Sequence, residues 1–321
     1  MNTRHIAPTF ITEERVRDVL RMDHLIPAIE QILIDFSAGL VIQPVRTVLH
    51  LAPQEGWFGL MPAVCGDIMG AKLVTVYPAN AQLGLPTHLA TIQLFNASTG
   101  AALTVMDGRL ITEMRTAAVS AIATSLLASD RVRVLAILGS GVQAKAHLDA
   151  LSMVRQFEEI RVWSRTQEHA ARFAAENNVV AMQTAEAAVR GADVVVTVTG
   201  AAEPVLFGKW LKPGAYVNAV GAVGPNRREL DNEAMQATVV VESREASMRE
   251  SGDILMSGSS IYAEIGELLA GSVRKMEGQR IVFKSLGIGC EDIAAAWLVC
   301  RALGLDKGGQ TLQISKACSR P

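Results

Sequence analysis

An apolar strand that runs without interruption into a glycine turn constrains this chain more than any other feature. The stretch is Val134-Leu-Ala-Ile-Leu-Gly-Ser-Gly-Val-Gln-Ala144. Gly139 permits a tight turn, Gly141 lets backbone approach a ligand with no Cβ in the way, and Ala144 is small enough for a following helix to pack on the strand. Free N–H groups and the helix dipole favour an anion at such a turn. A bare Gly-x-Gly-x-x-Ala also occurs as an ordinary structural turn. Between a strand and a helix, it predicts a dinucleotide pyrophosphate site at Gly139, Ser140, Gly141, Val142 and Gln143.

The surrounding pattern agrees. Over residues 133–285 short apolar strands (Val134–Leu138, Arg161–Trp163, Val194–Thr199, Tyr216–Ala219, Val239–Val241) alternate with helical stretches, which indicates parallel βαβ units. Residues 12–38 read as two helices ending before Gly39. From 41 to 107 β-branched runs (Val45–Leu51, Lys72–Tyr77, His88–Phe95, Ala102–Met106) are separated by Gly, Pro and Asn, Gly56 and Pro62 among them. That texture predicts an antiparallel layer. Thr112 opens a helix over Glu113–Leu127, and a last helix spans Glu291–Leu303. The fold class expected is α/β, in two domains. A Rossmann-type, doubly wound dinucleotide domain occupies 125–290, and an α+β domain takes 1–124 plus 291–321.

The second strand of the nucleotide domain ends at Trp163-Ser164-Arg165-Thr166. An NAD site usually places an acid here, about 20 residues after the glycines, to hold the ribose 2′-hydroxyl. A guanidinium and two hydroxyls suit a 2′-phosphate instead, so Ser164, Arg165 and Thr166 predict NADP(H) in preference to NAD(H), which stays possible. The plain alternative is that Arg165 is a solvated surface charge.

Thirty basic residues against 32 acidic ones leave a net charge of −2, which provides no field for nucleic acid or an anionic membrane. No apolar stretch without Ser or Thr reaches the roughly 20 residues of a bilayer span. The cysteines (Cys65, Cys290, Cys300, Cys318) are scattered and read as reduced thiols. The six histidines show no metal-ligand spacing, so no metal site is expected. The N-terminal MNTRHIAPTFITEER has no apolar core of a signal peptide, and a cytoplasmic protein is expected.

Several ordered stretches resemble the ornithine cyclodeaminase/μ-crystallin family. They are Gln43-Pro-Val-Arg46, Leu60-Met-Pro-Ala63, Gly70-Ala-Lys72, Val105-Met-Asp-Gly108, Arg115-Thr-Ala-Ala118, the glycine turn, Asn218-Ala-Val-Gly221, Arg228-Glu-Leu-Asp231, and Phe283-Lys-Ser-Leu-Gly287 with Glu291-Asp292. The resemblance implies a homodimer formed through the β layer of the first domain and an active site in the cleft between the domains. It implies that Arg46, Lys72 and Arg115 bind the carboxylate of an amino or imino acid, and that Val223 lies near the nicotinamide. Guanidinium forks suit a carboxylate, and a buried lysine suits proton transfer. By residue type alone, Arg46 and Lys72 are equally ordinary strand-face charges. Arg115 differs, since the small apolar neighbours Thr116, Ala117 and Ala118 suggest burial and hence a partner. Asp292 lies in a stretch that resembles a cofactor-side segment of the family, while a first-turn acid by itself reads as compensation of a helix dipole.

Departures from the cyclodeaminase pattern matter. That branch resembles this chain but carries an acid two residues before its Met-Pro pair, where this chain has Gly59, and an Asp where this chain has Val223. Glu55 or Asp67 are the nearest substitutes, while Trp57 and Phe58 give an apolar rim. His88–Thr124 is closer to the μ-crystallin branch. The leading expectation is therefore an NAD(P)H-dependent reductase of small, cyclic imino acids, or the reverse amino-acid dehydrogenase. The alternatives are an ornithine cyclodeaminase and a non-catalytic NADPH-dependent binding protein.

Overall fold

The computed structural model describes residues 8–276 and 278–305. Cys318 and the first seven residues of the N-terminal stretch lie outside the described residues. The elements run β1 (Thr9–Ile11), α1 (Glu13–Val19), α2 (Met22–Ser37), β2 (Val41–Ile42), β3 (Thr47–Leu51), β4 (Gly56–Cys65), β5 (Ile68–Val76), β6 (His88–Asn96), β7 (Ala102–Asp107), α3 (Arg109–Leu127), β8 (Val134–Leu138), α4 (Val142–Val154), β9 (Glu159–Trp163), α5 (Gln167–Asn177), β10 (Val180–Ala181), α6 (Ala185–Val189), β11 (Val194–Thr197), β12 (Tyr216–Ala219), β13 (Thr238–Val241), α7 (Arg244–Glu250), α8 (Gly252–Ser257), β14 (Ile261–Glu264), α9 (Ile265–Leu269), β15 (Ile281–Lys284) and α10 (Gly289–Ala302).

The described residues form two compact units, one of those up to 115 together with those from 288 onward, the other of those between 116 and 287. The sequence pattern sets the crossings after 124 and after 290. The first of these falls inside α3, an unbroken helix with no glycine or proline to mark Arg115. Thr112 lies inside that helix, its hydroxyl donating to the Gly108 carbonyl at 2.8 Å. By length and composition α3 passes the test for a membrane span, but 78% of its most apolar window is buried within the protein, as in a core helix.

The first unit holds a seven-stranded sheet in the order β1-β7-β6-β5-β4-β2, with β3 also paired to β4. Its strands are antiparallel except β1, which runs parallel to β7. The sequence pattern conceals β4, because one strand runs through both Gly56 and Pro62. Proline cannot donate to a ladder and belongs at edges or gaps. Pro62 falls in such a gap: β5 pairs with β4 from Trp57 to Cys65, but β3 pairs only as far as Leu60 and β2 starts at Val64.

Burial alternates along the strands, with Met61, Ala63, Lys72, Val74, Ala90, Ile92 and Leu94 on the covered face. Helix α10 packs on β4, β5 and β6 and against α2. The approach is close at Gly70, where a Cβ would stand 2.3 Å from the Gln93 carbonyl oxygen and 2.8 Å from Ile293 Cδ1.

In the second unit eight parallel strands follow the order β10-β9-β8-β11-β12-β15-β13-β14. From β8 the chain moves outward through β9 and β10, then returns to β11 on the other flank. The strand order therefore reverses between β8 and β11, and ligands of such sheets bind at the carboxyl ends beside that reversal. Strands buried on both faces, such as Val194-Val-Val-Thr197, explain the unbroken apolar runs in the sequence.

Gly70→Ala is expected to lower the unfolding free energy by about 1–3 kcal/mol through overpacking against Gln93 and Ile293. Denaturant titration reads this as a fall in midpoint, and an unchanged midpoint would show that the strand and helix separate at no cost.

Candidate active site

In the second unit the glycine turn closes β8. Gly139 has φ +123°, and a Cβ there would stand 2.6 Å from the Val198 carbonyl oxygen, so the turn requires glycine on both counts. Gly141 caps α4 with extended backbone and no side-chain bond. A Cβ on Gly141 would meet no protein atom within 4 Å, so room remains outside the helix start. Ser140 is half-buried, Val142 is exposed, and Ala144 is fully buried. The Gln143 side-chain oxygen is buried without a protein partner. These features fit a pyrophosphate at the helix N-terminus. His147 is a core residue: its Nδ1 lies 2.7 Å from the Gln143 carbonyl and its Nε2 2.9 Å from Ser120 Oγ, and burial lowers its pKa to about 4. After β9, Ser164 is half-buried while Arg165 and Thr166 are exposed.

A circuit of buried charges anchors the carboxyl ends of the other strands. Glu229 accepts from Thr199 N (2.7 Å), Thr199 Oγ1 (2.7 Å), Thr197 Oγ1 (2.9 Å), Gly221 N (2.7 Å) and Ala222 N (3.1 Å). Burial raises its pKa, and Lys284 opposes the shift. Asp253 accepts from the backbone of Glu229 and Leu230 and lies 3.0 Å from Lys284 Nζ. Lys284 also donates to the Ala222 carbonyl at 2.7 Å. Val223, half-buried, follows this doubly held residue. Glu242 accepts from Ser285 Oγ and the amides of Leu286 and Gly287 at 2.6–2.8 Å.

In the first unit the sheet brings cations together. Lys72 sits on the covered face of β5, 1% exposed, with Nζ 2.6 Å from Asp292 Oδ2. Arg115 on α3 is 4% exposed. Its Nε donates to Asp292 Oδ1 at 3.0 Å and its Nη1 to Glu291 Oε2 at 2.9 Å. Both acids stand in the first turn of α10, where the dipole favours them. Gln43 fixes that turn by accepting from Cys290 N at 2.6 Å. Three residues on, half-buried Arg46 places Nη1 3.9 Å from Met61 Sδ. Burial is the largest influence on Lys72 and brings its pKa down to about 8, with Asp292 opposing and Arg115 reinforcing the shift. The Arg115 and Lys72 charges hold Asp292 below the usual carboxylate range against the effect of its own burial.

Lys72 and Arg115 are thus joined through one carboxylate, with Arg46 close enough to act on the charge of Lys72. Asp292 is more than dipole compensation, which corrects the sequence reading. The available signal was its setting, an acid followed by Ile293-Ala-Ala-Ala-Trp297, the same small apolar context that marks Arg115. Glu291, Glu229, Asp253 and Glu242 were also missed as anchoring groups, because their donors come from distant segments. Among the described residues no group of three or more His, Cys, Asp or Glu side chains is placed to hold a metal.

A doubly wound sheet with a dinucleotide-type glycine turn, together with a second sheet bearing buried basic groups, defines the class. The chain belongs to the ornithine cyclodeaminase/mu-crystallin family, which it matches over residues 7–304. The ketimine reductase mu-crystallin of Mus musculus is 48% identical over 302 residues, 91% of this chain and 96% of that protein. The structure of Thermococcus litoralis Delta(1)-pyrroline-2-carboxylate reductase in complex with NADH and L-proline is similar with a TM-score of 0.88 at 32% identity, over 92% of this chain and 97% of that one. An archaeal alanine dehydrogenase dimer with bound NAD gives 0.87 at 30% identity, over 94% and 98%.

Asp292→Asn is expected to move the Lys72 pKa further down from about 8, because it removes the charge that opposes desolvation. It should also cost stability on the order of 3–5 kcal/mol by leaving buried cations uncompensated. Amine-selective labelling across pH and a denaturant series measure the two effects. A labelling midpoint that stays or rises would show that Asp292 does not set the charge of Lys72.

Proposed function

We propose that this chain is an NAD(P)H-dependent reductase of small imino-acid carboxylates, cyclic ones such as pyrroline- or piperideine-2-carboxylate, working in reverse as an amino-acid dehydrogenase. The observation that carries the reading is the buried Lys72–Asp292–Arg115 arrangement, with Lys72 brought to a pKa of about 8. Arg46 and Arg115 fix the substrate carboxylate. Lys72 supplies a proton at the imine nitrogen, since at neutral pH it is mostly charged yet releases a proton more readily than a solvated lysine. When bound, the nicotinamide supplies the hydride. Positioning and electrostatics account for the rest.

Ornithine cyclisation finds less support, because Gly59 and Val223 leave no carboxylate for a side-chain ammonium at those positions. Against a binding-only role stands a buried lysine whose pKa lies in the working range of a proton donor.

NADP(H) is the proposed cofactor. Arg165 is exposed at the end of β9 beside Ser164 and Thr166, with no acid among them. Steady loss of NADPH absorbance on adding piperideine-2-carboxylate is the expected result. Its rate should fall as pH rises through about 8 and Lys72 loses its proton, while amine oxidation should rise. Arg165→Ala should weaken NADPH about tenfold and leave NADH unchanged. Proline release from ornithine without net cofactor turnover would overturn the reductase reading, and a wild-type preference for NADH would overturn the cofactor choice.

The proposed state is a cytoplasmic homodimer formed through the open face of the first sheet. Leu49, Leu60, Leu73 and Leu89 are 36–57% exposed on adjacent strands of that face. Contiguous apolar area of this kind marks an interface. Light scattering should give twice the chain mass, and Leu73→Arg should halve it. A wild-type protein at the single-chain mass would remove this proposal.

A further inference from the structure

The covered face of the first sheet continues beyond Lys72 in a set order. Across β4, β5 and β6 the register rows are Met61–Lys72–Ile92, then Gly59–Val74–Ala90, then Trp57–Val76–His88. The row beside Lys72 therefore has no side chain on β4. Trp57 fills that space: its Cζ3 stands 2.9 Å from where a Gly59 Cβ would be, as does Val74 Cγ1. With Val76, the indole packs on Met61, Val74 and Ala90. Trp57 remains half-buried, so part of the ring is open.

These three rows carry hydrocarbon and no acid, and Glu55, just before β4, is exposed to solvent. His88 ends the outer row, and burial together with the Lys72 and Arg115 charges keeps it neutral, with a pKa of about 4. Asp292 and Glu291 are engaged with Lys72 and Arg115. A molecule whose carboxylate meets the arginines and whose nitrogen meets Lys72 would lay its carbon skeleton on the indole. A second ammonium would be desolvated there without a partner.

We propose that Trp57, seated over Gly59, is the specificity-determining residue of this site. It selects imino acids with an uncharged hydrocarbon ring over acyclic ones and over α,ω-diamino acids. This rests on the reductase reading above. The test compares kcat/KM for piperideine-2-carboxylate and for the imine formed from pyruvate and ammonia, in wild type, Trp57→Ala and Trp57→Phe. Trp57→Ala should lower the cyclic-to-acyclic ratio about tenfold, the scale of one or two methylene contacts. Trp57→Phe should restore most of it. Calorimetry with L-pipecolate and L-alanine supplies a readout free of turnover, and only L-pipecolate should weaken in Trp57→Ala. Where the wild type turns over the cyclic imine, a cyclic-to-acyclic ratio unchanged in Trp57→Ala overturns the assignment of Trp57 alone. A wild type that reduces neither imine and binds neither amino acid removes the reductase reading itself.

Discussion

One carboxylate ties the buried basic groups of the first unit together. Lys72 lies on a sheet face otherwise built from Met61, Ala63, Val74, Ile92 and Leu94, where an isolated ammonium would be too costly to keep charged. Asp292 meets that ammonium at 2.6 Å and the Arg115 guanidinium at 3.0 Å. The helix that carries it is held at its start by Gln43, and Gly70 lets the same helix come close to β5. The geometry of the basic groups therefore depends on how α10 seats on the sheet. Desolvation pulls the lysine toward neutrality and the aspartate pulls it back, so the group settles near pH 8, where a proton can move in either direction.

The second unit uses buried acids differently. Glu229, Asp253 and Glu242 collect backbone N–H groups from the ends of strands and the segments that follow them. A buried carboxylate with this many donors acts as a fixed template for loops that would otherwise wander. Such order suits the carboxyl edge of a parallel sheet, where a long ligand must be held at several points. Asp292 and Glu291 of the first unit pair with cations, whereas Glu229 and Glu242 accept from backbone amides and hydroxyls.

Local signals account for what was legible. The glycine turn was readable because its three small residues have separate steric duties, and the structure supplies the positive φ and close approach at Gly139. Periodicity exposed α2 and the apolar strands of the parallel sheet. It failed at β4, where Pro62 reads as a breaker until the gap between β3 and β2 is known. Short pairings such as β1 with β7 carried no pattern of their own. Arg46, Lys72 and Arg115 were named through family resemblance, since a cation in a strand looks the same in sequence whether it faces water or a carboxylate.

The family resemblance showed that Gly59 and Val223 stand where cyclodeaminases carry acids; by itself, the sequence determined the parallel nucleotide unit, the site of its glycine turn and the absence of an acid after the second strand. Each is a matter of which atoms are present or missing within a few bonds. Only the tertiary structure decided that Lys72 is buried, that Asp292 joins it to Arg115, and that Trp57 covers Gly59. Those facts depend on strand register and on the seating of a helix far along the chain, as in the separations of 177 between Arg115 and Asp292 and 247 between Gln43 and Cys290. Desolvation, which sets the chemistry of the lysine, exists only once those distant segments close over it.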